Sequence, residues 1–164
     1  MMTEQEVLLK LTALCAGSEH CSHEMLEKMR RWEVDEATQV SVMAYLTNEK
    51  FIDDERFCRL FVREKIRFNK WGRRKVEMAL YQKRIPAEIS KPILDEVPDE
   101  DYLAVLRPLI KSKGKTVRAA SEYEKNMKLI KFAMGRGFTF DIIRQCLSGE
   151  MDEIDETDSI DEEE

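Results

Sequence analysis

Apolar residues recur along this chain at three- and four-residue spacing almost from its start. Nowhere do they alternate with polar residues over the length of a strand. Val7, Leu8, Leu11, Leu14 and Cys15 predict a first helix, opened by a Thr3-Glu4-Gln5-Glu6 capping box and closed by Gly17 in a left-handed conformation. Met25, Leu26 and Met29 predict a second, capped by Ser22, and Val42, Met43 and Leu46 a third, capped by Asp35. Asp53 is the expected cap of a fourth, with Phe57, Leu60, Phe61 and Phe68 near one inward face, and Gly72 breaks it. Residues 73–84 form the fifth, with Val76, Ala79 and Leu80 inward. Pro86 suits the first turn of a sixth, carrying Ile89, Ile93 and Leu94, which Pro92 should kink or shorten. Pro98-Asp99-Glu100 opens a seventh through Leu103, Leu106 and Ile110, interrupted by Pro108 and ending near Gly114. Ser121-Glu122-Tyr123-Glu124 is a second capping-box pattern, starting an eighth helix that Gly135 and Gly137 end. Thr139 caps a ninth, with Ile142, Ile143, Cys146 and Leu147, which stops at Gly149.

The nine segments share a rhythm. Val34, Ile85 and Phe138 lie 51 and 53 residues apart. Each has an apolar residue nine positions back (Met25, Val76, Leu129) and nine positions on (Met43, Leu94, Leu147). This weak internal repeat predicts an all-α fold of three tandem three-helix repeats: 1–50, 51–97 and 98–149. A unit of about 50 residues buries too little surface to be secure alone, so neighbours complete each other's cores. The expected result is an elongated, curved, solenoid-like body.

Charge adds a second layer. The net charge of −6 hides an uneven distribution, because residues 150–164 hold ten Asp/Glu and no Lys or Arg. Without them 23 acids face 27 bases, a net +4. The acidic segment carries only three apolar residues, too few to offset chain entropy, and is expected to be disordered. No apolar run approaches the ~20 residues of a membrane helix. The N-terminus lacks a basic-then-apolar signal, and the four cysteines have no CxxC spacing. A soluble, reduced, cytoplasmic protein is expected, with its cysteines as small core residues.

Recognisable chemistry is sparse. Gly114-Lys115-Thr116 resembles the end of a phosphate loop, but Leu109 stands where that motif needs glycine, and a helix precedes it. His20, Cys21 and His23 lack the spacing of a metal site. No glycine-flanked serine resembles a nucleophile elbow, and no acid/base pair can be assembled around Asp53 and Asp54. No catalytic, cofactor or metal residues are assigned, and no small-molecule substrate is expected.

One stretch stands out. From Arg56 to Arg84 there are eleven Lys/Arg and two acids, Glu64 and Glu77. Like charges at i,i+4, such as Arg59–Arg63 and Arg63–Arg67, cost a few tenths of a kcal/mol each. A sequence that carries this repulsion presents the charge to something negative. Arginine predominates, which favours forked contacts to phosphate or carboxylate. Arg63, Arg67, Lys70, Arg73, Arg74 and Lys75 are the expected contact strip, with Asp53, Asp54 and Gly72 positioning it. Phe57, Phe61 and Phe68 are assigned to the core, and Trp71 is the aromatic expected to be exposed.

Phe51-Ile-Asp-Asp-Glu-Arg-Phe57, Gly72-Arg-Arg-Lys-Val76, Leu80 and Lys83-Arg-Ile85 resemble the signature of the RecX family, regulators of the RecA recombinase. The family often has glycine where Arg84 stands, and usually a smaller or less aromatic residue at Trp71. The resemblance implies three three-helix repeats and a monomer lying in the groove of the RecA–DNA filament. There it would hinder ATP hydrolysis, strand exchange and the co-protease activity of the SOS response, without being an enzyme. DNA would be met directly or through the filament. The alternative is a direct DNA-binding helical module acting through the basic second repeat.

Overall fold

The helical spacing yields nine α-helices and no strand among the residues described by the computed structural model, 1–147. In chain order these are α1 (Glu4–Gly17), α2 (Ser22–Arg31), α3 (Glu36–Asn48), α4 (Asp54–Arg67), α5 (Arg73–Gln82), α6 (Ala87–Asp95), α7 (Asp99–Gly114), α8 (Glu122–Gly135) and α9 (Phe140–Cys146). The acidic segment 150–164 and Gly149 lie outside the described residues, and α9 closes at Cys146.

Several helix starts follow from the residues expected to cap them. The Thr3 hydroxyl accepts from the Glu6 amide at 3.2 Å, and the Glu6 carboxylate accepts from the Thr3 amide at 2.8 Å, completing the box. Asp35 accepts from Thr38 N–H and Thr139 from Ile142 N–H. Other starts differ. Ser22 is the first residue of α2, not its cap. Cys21 holds the cap position, and the Ser22 amide donates to Asp54 Oδ1 at 2.8 Å. Ser121 accepts from the Glu124 amide, but the Glu124 carboxylate accepts from Ala120 N–H, so that box is half made. Gly17 is the last residue of α1 and does not turn left-handed; Ser18 continues in extended backbone. Both α6 and α7 continue through Pro92 and Pro108.

The repeat rhythm has a backbone cause. After α2, α5 and α8 the chain turns with positive φ at Glu33 (60°), Arg84 (59°) and Gly137 (95°). The next amides, of Val34, Ile85 and Phe138, donate back to Met29, Leu80 and Ala133 carbonyls at 3.0, 3.1 and 3.2 Å. This is the six-to-one closure of a Schellman cap. The three apolar anchors are therefore the residues that seal the middle helix of each triplet. Only Gly137 announces the turn chemically, since Glu33 and Arg84 carry a Cβ into the left-handed region.

The chain divides into two compact units. One comprises Met1–Phe61 with Ala79–Ile93. Its α3 packs on α1 and α2, and Val7, Leu11, Met25, Met29, Val42, Leu46 and Ile52 form a buried cluster. The other comprises Val62–Met78 and residues from Leu94 onward. There α7, α8 and α9 pack pairwise, burying Leu103, Leu106, Ile130, Ala133, Phe138 and Ile143. Removing a buried leucine such as Leu106 to alanine costs about 2–5 kcal/mol.

Candidate interaction surface

In the first unit, much of the positive charge is committed internally. Arg56 Nε meets Glu19 Oε2 at 2.6 Å while its Nη2 donates to the Lys50 and Phe51 carbonyls. Arg59 pairs with Glu55 one turn earlier at 3.2 Å. Lys83 Nζ reaches Glu24 Oε2 at 2.7 Å, and the other Glu24 oxygen accepts from the Cys21 amide and lies 3.1 Å from His20 Nδ1. Burial opposes ionisation of Glu24, but Lys83, the Cys21 amide and His20 outweigh it and hold the carboxyl below its usual value. The hydrogen bond to Glu24 raises Lys83 in turn. Burial pushes the Cys21 and Cys58 thiols up to about 11, so they behave as core residues. Asp53 Oδ1 accepts from the Arg56 amide at 3.0 Å, capping α4, while Asp54 ties the starts of α2 and α4 together.

All six expected contact residues fall in the second unit. Arg63 and Arg67 lie one turn apart on α4, exposed, and Lys70 follows, exposed, in a left-handed turn with φ 61°. None of these three forms an ion pair among the described residues. Arg73 is different: it is half-buried and its Nη2 meets Asp95 Oδ1 at 2.7 Å. Arg74 and Lys75 are exposed on the first turn of α5.

That turn is held by backbone contacts. Gly72 and Arg74 amides donate to the Arg136 and Gly137 carbonyls, both at 2.9 Å. Gly72 is buried against residues 137 and 138, where a Cβ would meet Phe138 Cα at 2.3 Å. Gly137 is pressed in turn against Lys75, whose Cβ would stand 2.4 Å from an added Cβ. The two glycines thus seat the start of α5 on the turn between α8 and α9.

The aromatics are distributed differently from expectation. Trp71 is half-buried, with Lys65 Nζ 5.2 Å and Lys75 Nζ 4.9 Å from its ring centroid. Phe68, assigned to the core, is 71% exposed. It is the last apolar position counted on the fourth helix, but α4 ends at Arg67, so Phe68 leaves the inward face. Phe57 is buried and stacks on the half-buried Phe61. The sequence reading also overlooked Arg144, which lines an open groove of about 550 Å³ with Arg74, Thr139, Phe140 and Asp141. Its guanidinium carbon lies over the Phe140 ring, 5.3 Å from the ring centroid. Nothing in its local sequence pairs it with a residue 70 positions away.

Chemically, the surface offers forked and point-like cationic donors beside an exposed aromatic ring, suited to phosphate or carboxylate groups. Two family models match the chain: the second three-helix domain of RecX over residues 53–91 and the third over 99–147. The regulatory protein RecX of Chlorobium limicola is 29% identical over 142 residues, covering 85% of this chain and 84% of that protein. That of Oceanobacillus iheyensis is 24% identical over 135 residues, covering 82% of this chain. The chain spans about half the length of this relative (49%). Among solved structures, RecX from Lactobacillus salivarius superposes with a TM-score of 0.82 at 18% identity, covering 92% of this chain and 97% of the other.

Proposed function

The chain belongs to the RecX family, a family of regulatory proteins, and from that we propose that it docks in the groove of the RecA–DNA filament. There it lowers recombinase ATPase, strand exchange and co-protease activity, as a cytoplasmic, monomeric regulator in DNA repair and the SOS response, without catalysis of its own. The observation that carries the reading is the trio Arg63, Arg67 and Lys70, exposed and without an ion pair among the described residues. They sit in a stretch, 63–75, with seven Lys/Arg against one acid.

Regulation of this kind is steric and additive. α4 is 14 residues long, about 21 Å, enough to lie across neighbouring subunits of a filament. Several weak contacts acting together give a clamp whose strength exceeds any one of them. A body held in the groove occludes incoming DNA and resists the subunit motion of the hydrolytic cycle.

The test is recombinase ATPase on single-stranded DNA with the wild type and Arg63→Glu/Arg67→Glu/Lys70→Glu. Half-inhibition by the variant is expected at a concentration at least tenfold higher, about 1.4 kcal/mol. Unchanged inhibition removes this surface from the mechanism. A second reading, direct binding to nucleic acid, is favoured by exposed Phe68 within the same basic stretch, because a free ring can stack on a base. It predicts steeply salt-dependent binding to DNA without recombinase.

A further inference from the structure

We propose that a small pocket of the second unit is a receptor for one basic side chain, arginine or lysine, presented by a partner protein. Its lining includes Val97, Asp99, Tyr102, Asp141 and Ile142, and its volume is about 180 Å³. The proposal is independent of the filament reading. It takes the opposite charge from the surface of Arg63, Arg67 and Lys70, and it needs neither recombinase nor DNA.

Two aspartates alone would mark nothing. Asp99 and Asp141 stand in the first turns of α7 and α9, where the helix itself favours a carboxylate. What sets the pocket apart is the Tyr102 hydroxyl. Tyr102 is 5% exposed, and its hydroxyl oxygen is buried with no hydrogen-bond partner among the described residues. A buried hydroxyl so placed carries a penalty that an N–H donor entering the pocket removes. Burial pushes the phenol up to about 12, with Arg73 opposing and Glu77, Asp101 and Asp99 reinforcing. Near neutrality it is an uncharged hydroxyl whose oxygen can accept.

Charge selects the ligand. Arg73 also borders the pocket, but Asp95 meets its guanidinium at 2.7 Å. Asp99 and Asp141 enter no ion pair among the described residues, and Asp99 Oδ2 accepts from Gln145 Nε2 at a long 3.4 Å. The balance at the pocket is negative, which disfavours phosphate and favours a cation. A bare metal ion fits poorly, because the described residues hold no group of three or more His, Cys, Asp or Glu able to ligate one. An alkyl stem ending in a cation matches the lining. Val97 and Ile142 offer apolar surface to methylenes, while the two carboxylates are exposed and the Tyr102 hydroxyl is buried. The volume admits one such side chain and falls below the ~300–1,000 Å³ of pockets for larger ligands.

The experiment titrates the full 164-residue chain, labelled for NMR at Ile and Val methyls, with three probes. These are N-acetyl-arginine methylamide, its neutral citrulline isostere, and spermidine. The arginine probe should shift the Val97 and Ile142 methyls with half-saturation at about 1–10 mM, leaving Val7 and Val42 unmoved. The citrulline probe should need a concentration about tenfold higher. Asp99→Asn/Asp141→Asn should weaken the arginine probe about tenfold and Tyr102→Phe, which keeps the ring, about threefold. An unshifted Ile130 methyl marks an intact second unit in both variants. Equal response to the citrulline probe overturns the proposal, as does unchanged affinity in either variant. Unshifted methyls with every probe up to about 50 mM assign the pocket to ordered water and overturn it too. Half-saturation by spermidine at a concentration about tenfold below the arginine probe makes the ligand a free polyamine and overturns the side-chain reading. Loss of ATPase inhibition in the Arg63/Arg67/Lys70 variant bears on the filament reading alone.

Discussion

The backbone of Gly72 lies directly against that of Phe138: a Cβ at Gly72 would stand 2.3 Å from both the Phe138 nitrogen and its Cα. Real Cβ contacts do not occur at that distance, so glycine is required by proximity alone. The close approach lets the Gly72 and Arg74 amides reach the Arg136 and Gly137 carbonyls. Two of the amides at the start of α5, which helix geometry leaves without partners, are satisfied in this way.

Gly72→Ala is therefore expected to destabilise the protein by about 3 kcal/mol or more, through overpacking against backbone that cannot swing aside. Gly137→Ala should cost a similar amount, adding left-handed strain at φ 95° to its clash with Lys75. Gly135→Ala, with open space around it, should stay within about 0.5 kcal/mol or gain slightly. Urea denaturation of the three variants checks the order.

Arg84→Gly is expected to stabilise by up to about 1 kcal/mol. It removes a Cβ from a residue at φ 59° while leaving the Ile85-to-Leu80 closure intact. The greater freedom of glycine in the unfolded chain offsets part of the gain. A lowered denaturation midpoint would show that the exposed Arg84 side chain makes a contribution larger than its backbone strain.

Arg67 and Arg73 should separate. Arg73→Ala breaks a half-exposed pair with Asp95 and should lower stability by about 0.5–1 kcal/mol. Arg67→Ala should leave stability within about 0.5 kcal/mol and weaken ATPase inhibition. Thermal melts run beside the inhibition assay resolve the two; equal stability losses would contradict the assignment of Arg73 to the fold.

The Glu24–Lys83 pair gives a pH signature. The Glu24 carboxyl is lowered from 4.5, so its contribution is present above pH 4.5 and lost as pH falls through the lower folded value. Lys83 is raised from 10.5, so its contribution is present below pH 10.5 and lost as pH rises through the higher folded value. The Tm advantage of wild type over Glu24→Gln should be flat near neutrality and shrink below about pH 4.5. It should correspond to no more than about 1 kcal/mol, since both groups are partly exposed. An advantage that grows on acidification would contradict the pairing.

The helices were legible because their signals are local: apolar spacing and residues such as Thr3, Asp35 and Thr139 act within one turn. The repeat was visible at Val34, Ile85 and Phe138, but its cause was not, since Glu33 and Arg84 occupy a conformation that glycine usually signals. The density of the basic stretch was also legible. Which members hold partners within the protein was not, because those partners lie far along the chain: Glu19 for Arg56, Glu24 for Lys83 and Asp95 for Arg73. Phe68 was misplaced because helical spacing continues past a helix that stops at Arg67. Arg144 was missed because only tertiary packing brings it to Arg74.

The indole of Trp71, with an ammonium group near its ring from each of Lys65 and Lys75, is also a built-in optical gauge. Its emission depends on the electric field across the ring, to which both ammonium groups contribute. An anion brought to this face would change that field, so the proposed docking can be tested by intrinsic fluorescence, with a Trp32→Phe background isolating the signal and no dye attached.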